Sequence, residues 1–293
     1  MSDQPIVVGY DGSPISREAL DFALATAKPS KTPIEIVQAW TASKPSAKDA
    51  TDGSPAAETV LAEAIEYAKG AAPEIDVTGQ LVPGDAVDAL LQAAEHASIV
   101  VLGSRGLGGF SGLLVGSTGV KVATQATCPV VVVRPREADA TVGPEAGRIV
   151  VGVDGSATSQ TAVSFAFEQA KLQGVGLTAL LSLDIPYAGP PGPNRLTPQD
   201  VLMADEDTGT ELLDHALTSW REKYPDVDIR SEVVPKNAAK ALIEASPGAL
   251  LVVVGSRGVG GIRSLLLGSV SHAVMHHVQG PIAIVHPVAA PAE

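Results

Sequence analysis

The sequence predicts two tandem α/β domains, each a doubly wound sheet of five parallel strands. Three observations predict it. The chain repeats itself, short apolar runs alternate with helical periodicity in each half, and glycine-containing motifs follow the first and fourth runs. The 293 residues leave room for two domains of roughly 150 residues each.

The repeat is direct. Ile6–Ser13 (IVVGYDGS) recurs as Ile149–Ser156 (IVVGVDGS), an offset of 154 − 11 = 143. Val100–Gly106 (VVLGSRG) recurs as Val252–Gly258 (VVVGSRG), an offset of 255 − 103 = 152. Self-similarity on this scale marks one structural unit written twice. The 152 − 143 = 9 extra residues enter between the two motifs, and the Pro/Gly-rich stretch Asp184–Asp200 is their expected place. Pro135–Gly147 (PREADATVGPEAG) is polar, with two prolines and two glycines, and reads as a linker. The expected organisation is a domain at 1–136, a linker at 137–147 and a second domain at 148–288.

Within the first half, Ile6–Tyr10 is a short apolar run and reads as a buried strand. Ser13-Pro14 supplies a helix cap and a proline at the first helical position, followed by Ala19, Leu20, Ala23, Leu24 and Ala27 at helical spacing. Ile34–Trp40 is the second strand, 58–69 a helix and 76–82 the third strand. A helix over 86–96, a strand over 99–102, a helix over 112–126 and a strand over 129–134 complete the unit. The second half repeats this order from Arg148 to His286. Uniformly apolar strands alternating with helices imply a parallel sheet covered on both faces. Right-handed crossovers give the flavodoxin-like strand order 3-2-1-4-5, with a ligand crevice beyond the carboxyl ends of strands 1 and 4. Those ends carry Asp11-Gly12-Ser13 and Gly103-Ser104-Arg105-Gly106.

After strand 4 the chain reads Gly103-x-x-Gly106, nine residues (107 to 115), then Gly116-Ser117. The second half reads Gly255-x-x-Gly258, nine residues (259 to 267), then Gly268-Ser269. Such glycines admit a ligand where a Cβ would block it, and a run of exposed N–H groups suits phosphate oxygens. Gly116-Ser117 precedes the last helix of the half, whose dipole favours the same anion. No G-x-x-x-x-G-K-[ST] occurs, so this is not a Walker loop. The nearest approach to a dinucleotide fingerprint, Gly106-x-Gly108-x-x-Ser111, lacks its last glycine and follows the fourth strand instead of the first.

The G-x-x-G, nine-residue spacer and G-[ST] pattern, after an opening V-V-G-x-D-G-S, resembles the universal stress protein family in its ATP-binding subgroup. Both halves match in full. The resemblance implies that Asp11 and Asp154 hydrogen-bond the nucleoside, and that the main chain near Ala39 and Leu183 reads the adenine edge. It implies that Gly103 and Gly255 approach the ribose. Gly106, Gly116 and Ser117, with Gly258, Gly268 and Ser269, would cradle the phosphates, with Mg2+ or Mn2+ accompanying them. Thr118 and Val270 flank that turn and would contribute N–H groups at most. One ATP per domain, a nucleotide-responsive regulatory role in the stress response, pairing of the two halves through 129–134 and 281–286, a homodimer and a regulatory protein partner are further implications.

Simpler readings stand beside these. Asp11 and Asp154 cap a helix at an Asp-Gly-Ser turn, which is compatible with ligand contact. Arg105 and Arg257 either reach phosphates as charged donors or are solvated. Cys128, whose repeat partner is Gly280, reads as a buried structural cysteine. His272 and His276 share a helix face at i, i+4, but the first half has Val120 and Thr124 there, against a shared metal site. No catalytic constellation is apparent, so at most slow ATP hydrolysis is expected. Two other readings are an ATP-dependent enzyme of the adenine nucleotide α-hydrolase type and an interaction module without nucleotide dependence.

Composition narrows the partners. A net charge of −13 and 3% aromatic residues disfavour a nucleic-acid reader. No apolar stretch approaches the ~18 residues of a membrane span, and the single cysteine suits a reducing compartment, so a cytoplasmic protein is expected.

Overall fold

A computed structural model describes residues 4–40, 55–107, 115–135, 142–183, 198–258 and 267–287, with 198–207 described by backbone alone. The chain forms two compact units, Met1–Pro135 and Arg136–Glu293.

Unit 1 runs β1 (Ile6–Gly9), α1 (Pro14–Ala27), β2 (Ile34–Trp40), α2 (Pro55–Ala71), β3 (Val77–Pro83), α3 (Ala86–Ala94), β4 (Ile99–Gly103), α4 (Ser117–Gln125) and β5 (Val130–Val133). Unit 2 repeats it as β6 (Ile149–Val153), α5 (Ala157–Gln173), β7 (Leu177–Ser182), α6 (Pro198–Lys223), β8 (Ile229–Val234), α7 (Ala238–Ala245), β9 (Leu251–Gly255), α8 (Ser269–His277) and β10 (Ile282–Val285). The strand orders are β3-β2-β1-β4-β5 and β8-β7-β6-β9-β10, all pairs parallel, which is the expected 3-2-1-4-5 order twice.

The apolar runs form strands because both sheet faces are covered. Val7, Val8, Val100, Val101 and Val130 are fully buried, each burial contributing roughly 1.5–3 kcal/mol. In unit 1, α1 packs on β1 and β4 and α2 on β2 and β3, while α3 and α4 pack together over β2 and β5. Right-handed crossovers put these two pairs on opposite faces. The β1–α1 turn is local chemistry. Gly12 adopts φ +80°, Ser13 caps the helix by accepting the Ser16 N–H at 3.2 Å, and Pro14 occupies the first turn. Unit 2 repeats it with Gly155 at φ +79° and Ser156 accepting the Ser159 N–H at 3.1 Å.

Three sequence expectations shift. The last helix of unit 1 begins at Ser117 instead of residue 112, with Gly116 as its cap; residues 112–114 lie outside the described segments. The nine-residue insertion lengthens a helix more than the loop before it. The helix starts differ by 198 − 55 = 143 and the ends by 223 − 71 = 152, so α6 has 26 residues against 17 in α2. Residues 184–197 of the stretch expected to hold it lie outside the described segments. Finally, the end of the stretch read as a linker is packed. The Gly143 and Gly147 N–H groups donate to Pro247 O and Gly248 O at 3.0 Å each. Buried Glu145 accepts from the Thr178 hydroxyl, which in turn accepts from Arg148 Nε at 3.0 Å.

Cys128 sits buried just before β5, and burial pushes its thiol up to about 11, so it stays a neutral core group at physiological pH. Unit 2 adds an aromatic cluster: Phe167 of α5, fully buried, stacks on Trp220 and Tyr224 of α6 at centroid distances of 5.9 and 5.7 Å. Phe167→Ala should therefore destabilise unit 2 by about 3–5 kcal/mol. Denaturant unfolding followed by Trp220 fluorescence, with Trp40 replaced by Phe, reads that change; a shift below 1 kcal/mol (~) would show that the cluster is not a core element.

Candidate functional site

In each unit the carboxyl ends of the first and fourth strands meet at a cleft of about 470 Å3. In unit 1, Asp11 follows β1 and its carboxylate ties two loops together. Oδ1 accepts the Ser13 N–H at 3.0 Å, within the β1–α1 turn, and Oδ2 accepts the Leu107 N–H at 2.8 Å, beyond β4. The Asp11 N–H points at Ser16 Oγ at 3.5 Å, and that hydroxyl donates to Ser13 O at 2.9 Å. Burial pushes the Asp11 carboxyl up, but hydrogen bonds from Ser13, Leu107 and Ser16 outweigh it and hold the group below its ordinary value. Asp154 repeats the first contact, accepting the Ser156 N–H at 3.0 Å, and its own N–H donates to Ser159 Oγ at 3.2 Å.

The glycines flanking this carboxylate are required by the chain itself. A Cβ on Gly106 would collide with Asp11 Oδ2, and one on Gly258 with Asp154 Oδ2. A Cβ on Gly103 would stand 3.1 Å from the main chain of Ile15, and one on Gly255 3.2 Å from that of Thr158. The latter pair thus lets the first turn of α1 or α5 pack against the end of its strand, besides lining the cleft.

One hydrogen bond closes the neck of the loop between the glycines. Ser104 N–H donates to Val133 O at 2.7 Å, and Ser104 O accepts the Gly116 N–H at 2.7 Å. Ser256, Val285 and Gly268 repeat both bonds at 2.7 Å. Ser104 and Gly116, and likewise Ser256 and Gly268, are thus held side by side at the end of the sheet.

Gly116 and Gly268 differ from the other glycines of the motif. Both have ordinary extended backbones, with φ −72° and −71°. A Cβ on Gly116 would meet nothing nearer than Ser104 O at 3.6 Å, and one on Gly268 nothing nearer than 3.4 Å. Among the described residues, a Cβ at either would make only ordinary van der Waals contacts. Both residues also cap helices without a side-chain acceptor, whereas α1, α3, α5 and α7 are capped by Ser13, Asp85, Ser156 and Asn237. The first-turn N–H groups of α4 and α8 are thus left to whatever occupies the cleft.

Asp11, Ala39, Gly103, Arg105, Gly106, Gly116, Ser117 and Thr118 all line the cleft of unit 1. Asp154, Gly255, Arg257, Gly258, Gly268, Ser269 and Val270 line that of unit 2. Leu183 does not, and its neighbour Ser182 takes the place. The strand register gives the reason. Ile6 pairs with Ile34 and Ile149 with Leu177, so Ala39 corresponds to 39 + 143 = 182. Leu183 lies one residue on, its side chain packed toward Gly209 of α6. Arg105 and Arg257 are exposed on the walls of their clefts. Burial and then the charge of Arg105 lower the pKa of Arg134, so positive charge is concentrated at this end of unit 1.

Sequence reasoning passed over Ser104 and Ser256, the second residues of Gly-Ser-Arg-Gly. Their hydroxyls are buried without a hydrogen-bond partner among the described residues, directly at the loop neck. Their recurrence in both halves was the available signal, as it was for Ser16 and Ser159. Elsewhere, His272 and His276 do share a face of α8, with ring centroids 4.6 Å apart, but no group of three metal-ligating side chains occurs among the described residues.

Fold and cleft together define a duplicated, doubly wound α/β protein with one switch-point cleft per unit. The model of the universal stress protein family matches residues 4–134 and again 145–286, and the chain belongs to that family. Universal stress protein Rv2005c of Mycobacterium tuberculosis is 32% identical over 290 residues, covering 95% of this chain and 96% of its own. Universal stress protein Rv1996 of the same organism is 33% identical over 303 residues, covering 95% and 94%. The crystal structure of a universal stress protein from Archaeoglobus fulgidus superposes with a TM-score of 0.64 at 20% identity, over 98% of this chain and 97% of that one, and has the same fold. No helix among the described residues is long and apolar enough to cross a membrane.

The Asp11 tether has a pH signature. Its folded-state pKa lies below the ordinary 3.8, so its contribution is present above that value and lost as pH falls through the folded-state value. The stability gap between the native protein and Asp11→Asn should thus be full above about pH 5 and shrink in acid. Urea midpoints of the two proteins across the acid range check this; a gap independent of pH would mean that the charge contributes nothing.

Proposed function

We propose that each cleft binds one ATP, and that the protein is a nucleotide-responsive regulator of a stress response. The observation that carries this reading is the glycine cap of α4 and α8. Neither backbone conformation nor packing demands glycine there, yet both units keep it, over unpaired helix N–H groups facing a cleft. An anion docked at such a terminus gains hydrogen bonds and the favourable end of the helix dipole. Arg105 or Arg257 and the hydroxyls of Ser117 or Ser269 add donors at the same end. The nucleoside would lie toward Asp11 and Ala39 in unit 1, and toward Asp154 and Ser182 in unit 2. A divalent cation such as Mg2+ or Mn2+ would ride on the phosphates, because N–H groups and arginine cannot ligate a cation.

We read the clefts as holding nucleotide instead of turning it over rapidly. Fast phosphoryl transfer needs a residue that orients the nucleophile. Among the described residues, the one carboxylate lining the unit 1 cleft, Asp11, is already committed to Ser13 and Leu107. Cytoplasmic location, where ATP is abundant, self-association and a regulatory protein partner belong to the same proposal.

Gly116→Val tests the reading, since a Cβ there makes only ordinary contacts with the described residues while a branched side chain would project into the cleft. The substituted protein should keep its melting temperature, while equilibrium dialysis shows one ATP bound per chain instead of two. With Gly268→Val added, the ATP-induced stabilisation should vanish, a loss of about 2.7 kcal/mol per site at hundredfold excess over Kd. Undiminished ATP uptake by the double variant would refute the proposal.

A further inference from the structure

The two clefts share the neck, the carboxylate and the glycine cap, but they differ at the second residue of the capped helix. Thr118 stands there in unit 1 and Val270 in unit 2, and each lines its cleft. The side chains have nearly the same volume and differ by a hydroxyl in place of a methyl. The Thr118 hydroxyl has no hydrogen-bond partner among the described residues, so its proton is available to a ligand.

Unit 2 does not recover this donor from the next position. Ser271 replaces Gly119, but its hydroxyl donates to Gly255 O at 2.6 Å and carries only one proton. Among the described residues lining the phosphate end, both units offer first-turn N–H groups, one arginine, and Ser117 or Ser269, and unit 1 adds Thr118. The opposite ends also differ, with Tyr10 and Ala39 in unit 1 where unit 2 has Val153 and Ser182. Those positions act on the nucleoside, whether or not phosphates follow.

We propose that the clefts are unequal sites for a nucleoside polyphosphate, unit 1 being the tighter because the Thr118 hydroxyl donates to the phosphates where Val270 has only a methyl group. The inference rests on nucleotide binding as read above. It makes the protein a two-step sensor, with unit 1 filling before unit 2 as the nucleotide concentration rises. One hydrogen bond to a charged acceptor corresponds to about a tenfold difference in affinity.

Isothermal titration of the full chain, with one site silenced at a time, tests it. In a Gly268→Val background, Thr118→Val should weaken ATP about tenfold and leave adenosine unchanged, while Thr118→Ser should bind ATP as the parent does. In a Gly116→Val background, Val270→Thr should tighten ATP by a similar factor. ATP affinity within about twofold of the parent after Thr118→Val would overturn the inference while leaving nucleotide binding intact. A native chain that takes up no ATP would defeat both readings.

Discussion

The Asp11 carboxylate holds together segments 96 residues apart in sequence, joining the β1–α1 turn to the loop beyond β4. The cleft depends on this contact. The turn alone would be a capped helix start, and the segment after β4 would be tied only through Ser104 and Gly116. One oxygen on Ser13 and the other on Leu107 set the spacing between them. Ser13 and Ser156 are the helix caps, so the capping reading of Asp11 and Asp154 gives way to one in which each carboxylate braces the turn ahead of the cap. The geometry at Asp11 also dictates Gly106, since no Cβ fits beside the carboxylate.

The glycines of the motif are there for different physical reasons. Gly12 supplies a positive φ, Gly103 admits the backbone of α1, and Gly106 makes room for a carboxylate. Gly116 answers to none of these. Its place at a helix start without side-chain acceptor is what directs attention to an occupant. The hydroxyls of Ser104 and Ser256, buried at the same neck in both units without a partner among the described residues, point the same way. Burying a hydroxyl without a partner is costly, and a duplicated cost is seldom accidental.

Duplication preserved the cleft frame and let the surroundings drift. The neck bonds have the same length in both units, and the helix caps Ser13 and Ser156 make the same contact. Unit 2 gained a longer α6, whose Trp220 and Tyr224 close over Phe167, and an anchored entry segment in which Glu145 and Arg148 meet at Thr178. Against this shared frame the two clefts differ at Thr118 and Val270.

The sequence by itself determined the duplication, the parallel 3-2-1-4-5 sheet and a set of site positions of which all but Leu183 line the clefts. Apolar periodicity, capping chemistry and spacing are local properties, and Ser13-Pro14 or Val130–Val133 carry their structure in their own side chains. Tertiary structure alone decided the rest, because it concerns which atoms face each other across the chain. Strand register made Ser182, and not Leu183, the partner of Ala39. Helix bounds placed the extra nine residues in α6 instead of the loop before it. Packing against Pro247 and Gly248 turned the end of the linker into part of unit 2. The reach of Asp11 to Leu107 was equally hidden, since spacing in sequence records nothing about distance in space.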